Sequence, residues 1–290
     1  MQIIGETKGA PLLRVEDLHV SYNTPTGLVR AVSGVSFELG REKLGIVGES
    51  GSGKSQTGRA ILGLTAGAQV RAKRLEFEGI DLLNASQRTM RDIRGRCISM
   101  IMQDPKYSLN PVMTVGSQIE EAFLVHSKSS KQEARERTLE MLRAVRIRAP
   151  ERVYKAYPHE VSGGMGQRIM IAMMMIPKPA IIIADEPTSA LDVTVQLQVL
   201  AVLDDMISER GMGLIFISHD LNLIASFCDR ILIMYGGKVV EQCLAAELDQ
   251  ARHPYTQGLL NCLPSLEGGQ DDLPVLQRDP AWLATPGATQ

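Results

Sequence analysis

The chain of 290 residues is 44% hydrophobic, enough for one large folded domain with a smaller companion, and its 31 basic and 33 acidic side chains leave a formal charge of −2. Near neutrality excludes a chain-wide field for nucleic acid or anionic lipid, and an aromatic content of 4% argues against stacking platforms for bases. The longest apolar run, Ile169 to Ile176, is far short of the roughly 20 residues of a spanning helix, and Glu6 and Lys8 interrupt any signal core between Met1 and Pro11.

From the amino terminus, Leu13 to Tyr22 and Val29 to Leu39 alternate apolar and polar residues on either side of the turn-rich Asn23 to Gly27, which predicts an antiparallel pair. Four short aliphatic runs follow, Leu44 to Val47, Ile98 to Met102, Ile181 to Ala184 and Leu214 to Ile217, and these predict buried strands. Longer helical patterns separate them, beginning with Thr57 to Leu64, which is the habit of an α/β domain with a largely parallel sheet. Between Pro105 and Pro158 the strand pattern stops. There Ala134, Leu139, Leu142 and Val145 recur at helical spacing, and Glu133, Glu136 and Glu140 sit among the Lys and Arg residues, which predicts a helical insertion with a solvated outer face. Ile231 to Tyr235 and Lys238 to Glu241 flank Gly236 and Gly237 as a hairpin. Beyond Arg252 the chain is rich in Pro, Gly and Asp, and the last 25 or so residues are expected to be a loosely packed tail. Cys97, Cys228, Cys243 and Cys262 are too scattered for a zinc or disulfide framework, so they are expected to be small buried or half-buried hydrophobes in a reducing compartment.

The sharpest chemical signal is GESGSGKS, Gly48 to Ser55, placed after a predicted strand and before a helical pattern. Gly48, Gly51 and Gly53 allow the backbone to fold closely around phosphate oxygens with its N–H groups inward, and the helix that follows adds its positive end. Lys54 would reach the β- and γ-phosphates, and the Ser55 hydroxyl would ligate Mg2+. A phosphate loop needs a carboxylate at a neighbouring strand end to hold the metal's hydration shell, and Asp185 follows Ile181 to Ala184. Glu186 comes next and suits a general base that polarises water. His219 ends the following strand, a position for γ-phosphate contact or water placement, and Gln103 ends the strand that leads into the insertion, where it could sense the metal. Ser162, Gly163 and Gly164, in VSGGMGQR, open another helical pattern and form a second candidate anion site. Two phosphate-binding elements in one chain leave two arrangements open: both fold onto one nucleotide, or two chains share nucleotides between them.

These residues together resemble the nucleotide-binding subunits of ATP-binding cassette transporters, over about Leu12 to Pro264. VSGGMGQR is similar to the family signature, with Val161 and Met165 in place of the usual Leu and Gln; Gln103 matches the Q-loop, Asp192 closes a D-loop, and His219 matches the switch histidine. QDPKYSLNP, YPHEVSGGM and HPYTQGLL resemble the oligopeptide, dipeptide and nickel importer branch, and GIVGESGSGKS with the amino-terminal strands resembles its D-type subunit. Some relatives carry an iron–sulfur cluster in a carboxy-terminal Cys-rich segment; with no Cys after Cys262, none is expected in this chain.

The resemblance implies a P-loop α/β cassette over residues 12–252, with a RecA-like parallel core, an antiparallel β subdomain and a helical subdomain at about 105–177, and an extension over 253–290. ATP would meet Tyr22, Gly48, Glu49, Ser50, Gly51, Ser52, Gly53, Lys54, Ser55, Gln56 and Gln103, with Ser162, Gly163, Gly164, Gln167 and Asp192 completing the site across a head-to-tail pair of chains. Ser55, Gln103 and Asp185 would serve Mg2+, and Glu186 and His219 hydrolysis. Implied partners are a second ATPase subunit, an F-type paralogue or a second copy, two membrane permeases, and an extracytoplasmic solute-binding protein, at the cytoplasmic face of the cell membrane; no nucleic acid is implied. Di- or oligopeptides are the leading solute, with nickel, opines and sugars as alternatives. A soluble non-transport ATPase of the same family is disfavoured by the single cassette without a basic surplus, and a GTPase by the absence of an NKxD element.

Overall fold

A computed structural model describes residues 10–104, 108–189, 191–262 and 282. The predicted tail, the amino-terminal nine residues, Pro105 to Tyr107 of the QDPKYSLNP stretch and Ala190 of the D-loop lie outside the described residues, Trp282 of the tail excepted.

The strands are β1 (Leu13–Thr24), β2 (Gly27–Leu39), β3 (Lys43–Val47), β4 (Ala68–Arg71), β5 (Arg74–Phe77), β6 (Ile80–Asp81), β7 (Ile98–Ile101), β8 (Ile181–Asp185), β9 (Gly213–Ser218), β10 (Arg230–Tyr235) and β11 (Lys238–Leu244). The helices are α1 (Lys54–Ile61), α2 (Gln87–Ile93), α3 (Val115–Leu124), α4 (Lys131–Ala144), α5 (Pro150–Lys155), α6 (Gly163–Met175), α7 (Val193–Arg210), α8 (Leu221–Phe227) and α9 (Pro254–Asn261). They divide into two compact units, residues 1–84 with 215–290, and residues 85–214.

In the first unit, β1 and β2 form the predicted antiparallel pair, from Leu13 opposite Leu39 to Thr24 opposite Gly27, with three register shifts along the ladder. The turn is shorter than Asn23 to Gly27, because Asn23 and Thr24 pair with Leu28 and Gly27 and leave only Pro25 and Thr26 outside the ladder. The other edge of β1 pairs with β4 and β5, and β6 extends β5. Leu13, Val15, Leu18 and Val20 alternate into the core, with a register shift between Val15 and Leu18. The second sheet contributes β11, β10, β3 and β9 in that order to this unit. β10 runs parallel to β3, and β10 and β11 form the hairpin around Gly236 and Gly237. Both faces of β3 and β10 are buried, which explains their unbroken aliphatic runs.

In the second unit, β7 and β8 pair in parallel from Ile98 opposite Ile181 to Ile101 opposite Ala184. All of this unit's α-helices but α5 have side-chain N-caps, at Ser86, Thr114, Ser130, Ser162 and Asp192, each of which accepts a backbone N–H from the first turn. α4 buries Ala134, Thr138, Met141 and Leu142, while Arg137 pairs with Glu140 and Arg143 with Glu151 on its exposed face. Ile169, Met170, Ile171, Ala172 and Met175 of α6 are all buried, so the longest apolar run is a core helix. Among the described residues no helix is long and apolar enough to cross a membrane. None of the four cysteines is in a disulfide; Cys228 is buried and the others half-buried, as expected.

Candidate nucleotide site

The Gly48 to Ser55 loop leaves the end of β3 and enters α1 directly. A Cβ on Gly48, at φ 155°, would stand 2.1 Å from the Met234 carbonyl oxygen; one on Gly53, at φ 98°, would stand 2.4 Å from that of Ala31. Both positions therefore exclude any side chain, and the loop is pressed against β10 and the hairpin strands. Lys54 is buried and folds back along the loop, its Nζ donating to the Gly48 carbonyl at 2.7 Å and the Glu49 carbonyl at 2.9 Å. The Gly237 N–H donates to the Ser52 carbonyl at 3.1 Å, a second tie from the β10–β11 turn. The helix begins at Lys54, three residues before the predicted Thr57, because the loop's last residues already form its first turn.

Tyr22 at the end of β1 donates its hydroxyl to Gln56 Oε1 at 2.6 Å and so lies beside the first turn of α1. His219 is exposed just beyond β9, in the bend where Asp220 caps α8. The first unit thus contains the loop, Tyr22, Gln56 and His219.

The second unit holds the acids. Asp185 ends β8 and is buried, and Glu186 follows at φ 48°, a left-handed conformation that a non-glycine residue keeps only when its surroundings enforce it. Gln103, two residues beyond β7, donates from Nε2 to Glu186 Oε2 at 3.2 Å and to Ser189 Oγ at 3.3 Å. Ser189 Oγ donates in turn to the Glu186 carbonyl at 3.2 Å. Sequence reasoning missed Ser189, because a hydroxyl in a loop has no pattern to announce it. Ser162 accepts the Met165 N–H and starts α6, with Gly163 exposed beside it. Gln103, Ser162, Gly163, Gln167, Pro187 and Leu191 line one cavity of about 550 Å3. Gln167 is buried there, and its Nε2 has no partner among the described residues. Asp192 caps α7 by accepting the Val195 N–H at 3.0 Å. Burial, with the neighbouring charge of Arg148, holds the Arg168 guanidinium below its ordinary pKa; it donates to the Gly164 and Arg146 carbonyls.

The fold and these two constellations define a P-loop nucleotide-binding cassette. Residues 32–189 match the family model described as ABC transporter. The chain is 46% identical over 280 residues to the oligopeptide transport ATP-binding protein OppD of Bacillus subtilis, covering 95% of this chain and 78% of that one. It is 46% identical over 279 residues to the dipeptide transport ATP-binding protein DppD of the same organism, covering 95% and 83%. Among solved structures, the ATP-binding cassette MJ0796, dimeric in a post-hydrolysis state bound to ADP and Pi, is similar with a TM-score of 0.71 at 26% identity, over 80% of this chain and 98% of that one. The chain belongs to the ABC transporter ATP-binding family and is an ATP hydrolase coupled to transport.

Proposed function

We propose that the chain is the D-type ATPase subunit of a peptide importer, with residues 12–252 as the ATPase domain, a helical subdomain at about 105–177, and an extension over 253–290. The observation that carries the site is Lys54, folded back along a strand-to-helix loop whose two fixed glycines admit no side chain. ATP supplies the phosphates for that loop: the amides of Gly48 to Ser55 and the Lys54 ammonium hold them, Gln56 flanks them, and Tyr22 faces the adenine. Mg2+ neutralises phosphate charge when bound; the Ser55 hydroxyl, the Gln103 amide and the buried Asp185 carboxylate are hard oxygen donors of the kind it takes. Glu186 orients and polarises the attacking water, Gln103 holds its carboxylate in place, and His219 contacts the γ-phosphate. Ser162, Gly163, Gly164, Gln167 and Asp192 act on the nucleotide bound by a second ATPase chain, an F-type paralogue or another copy, in a head-to-tail pair.

Relatives named for oligopeptide and dipeptide transport support a peptide solute, and the dimeric solved relative supports pairing. Relatives named as transport ATP-binding proteins support separate permeases, and we infer two of them, fed by an extracytoplasmic solute-binding protein, with this subunit at the cytoplasmic face. Glu186→Gln is expected to retain ATP binding in the assembled complex while turnover falls about 100-fold or more. Near-normal turnover removes Glu186 from the reaction, and loss of ATP binding assigns it to the binding site instead.

A further inference from the structure

The HPYT stretch has no task in the chemistry above, yet its residues converge on the nucleotide loop. His253 caps α9, its Nδ1 accepting the Tyr255 N–H at 3.2 Å, and Pro254 fills the first helical position, where no N–H is needed. The Glu241 carboxylate on β11 accepts the Arg252 N–H at 2.6 Å and fixes the approach to the helix. So held, Tyr255 is fully buried, with its ring 4.5 Å from that of Tyr235 between centroids. Its hydroxyl accepts the Glu49 N–H at 3.1 Å, joining α9 to a loop 206 residues earlier. Trp282 lies against both tyrosine rings, at 5.6 Å from each.

We propose that Tyr255 is a positioning residue for the nucleotide loop. Its hydroxyl draws the first amide after Gly48 to the rear of the loop, and the tie from Gly237 to Ser52 holds the loop on the same hairpin that carries Tyr235. The remaining amides are thereby preorganised before nucleotide arrives, and ATP binding spends nothing on ordering them. α9 is the fixed backstop of this arrangement, and the proposal rests on the assignment of Gly48 to Ser55 as the phosphate loop.

Tyr255→Phe keeps the ring and removes the hydroxyl. In the full chain, titration with a fluorescent ATP analogue is expected to give a Kd about three- to tenfold higher, the size of one net hydrogen bond. In the assembled complex, KM for ATP should rise by a similar factor while kcat changes little. Amide hydrogen exchange should accelerate in peptides covering Gly48 to Ser55 and nowhere else, with the melting temperature close to wild type. An unchanged Kd overturns the proposal, and so does faster exchange throughout the first unit with a large fall in melting temperature, which marks Tyr255 as only a packing residue. Lys54→Ala separates the two levels. If it binds nucleotide as wild type does, the phosphate-loop assignment fails and the proposal with it; if it loses binding while Tyr255→Phe does not, the proposal alone fails.

Discussion

Gln103 donates to Glu186 Oε2 at 3.2 Å, joining a residue two positions beyond one strand to the residue after its parallel neighbour, 83 positions apart in the chain. The amide is a neutral donor, so the Glu186 carboxylate gains a partner without a competing charge. Gln103→Glu replaces that donor with a second carboxylate at the same distance. Like charges this close repel, so the Glu186 carboxylate is pushed out of the position in which Gln103 holds it. Turnover of the assembled complex should therefore fall about tenfold or more while ATP binding is retained. Turnover close to wild type would remove the contact from catalysis.

The loop glycines are not equivalent. Gly48→Ala places a methyl group 2.1 Å from the Met234 carbonyl, whereas at Gly51 a Cβ meets nothing within 4 Å and only its φ of 81° is unfavourable. Gly51→Ala should cost about 1–2 kcal/mol and retain nucleotide binding. Gly48→Ala should abolish binding and lower the melting temperature far more, because backbone on both sides must move. Calorimetry and nucleotide titration on the two variants decide this.

Legibility from sequence followed how local each determinant is. β3, the loop glycines, Asp185 and the cap at Ser162 lie within short windows where strand runs, glycine spacing and cap chemistry are explicit. β4 and β6 have half- to fully exposed residues and only two to four positions, so no hydrophobic period marks them. α9 was hidden inside a segment whose Pro and Gly content resembled a tail, although His253 and Pro254 are themselves a helix start. The left-handed Glu186 and the hydroxyls of Ser189 and Tyr255 act through partners brought close only by the fold. The outer face of α4 went as expected, since alternating charge signs on a helix already describe a solvated surface.

Arg230 is almost fully buried at the start of β10 and donates to both Glu42 carboxylate oxygens, at 2.6 and 3.3 Å, and to the Glu38 carbonyl at 2.6 Å. Removing the carboxylate leaves a buried cation with only a carbonyl to offset it. Glu42→Ala should lower unfolding free energy by about 3 kcal/mol in urea denaturation. The Glu42→Ala, Arg230→Met double variant should be more stable than Glu42→Ala alone, because no unpaired charge remains. If the single variant loses under about 1 kcal/mol, the pair is solvated rather than structural.

The His126 ring packs onto Gly95, where a Cβ would stand 2.7 Å from Nε2. Burial, and then the charge of Arg96, hold its pKa below the ordinary 6.5, with Asp92 acting in the opposite direction. A depressed value in the folded state means that the native fold favours the neutral ring. Its stabilising effect is complete above pH 6.5 and is lost as pH falls through the lower folded midpoint. The Cε1 proton of His126 should titrate below 6.5, and His126→Gln should flatten the acid side of the melting-temperature profile. A midpoint at or above 6.5 would contradict the packing.

The chain contains a single tryptophan, Trp282, and it rests on the tyrosine whose hydroxyl grips the loop at Glu49. Excitation at the red edge of protein absorption therefore interrogates one indole, separated from the Glu49 amide by the single side chain of Tyr255. The protein thus carries an intrinsic optical probe of the ring that backs the loop, and a Tyr255→Phe variant that keeps the wild-type emission maximum has kept that ring in place.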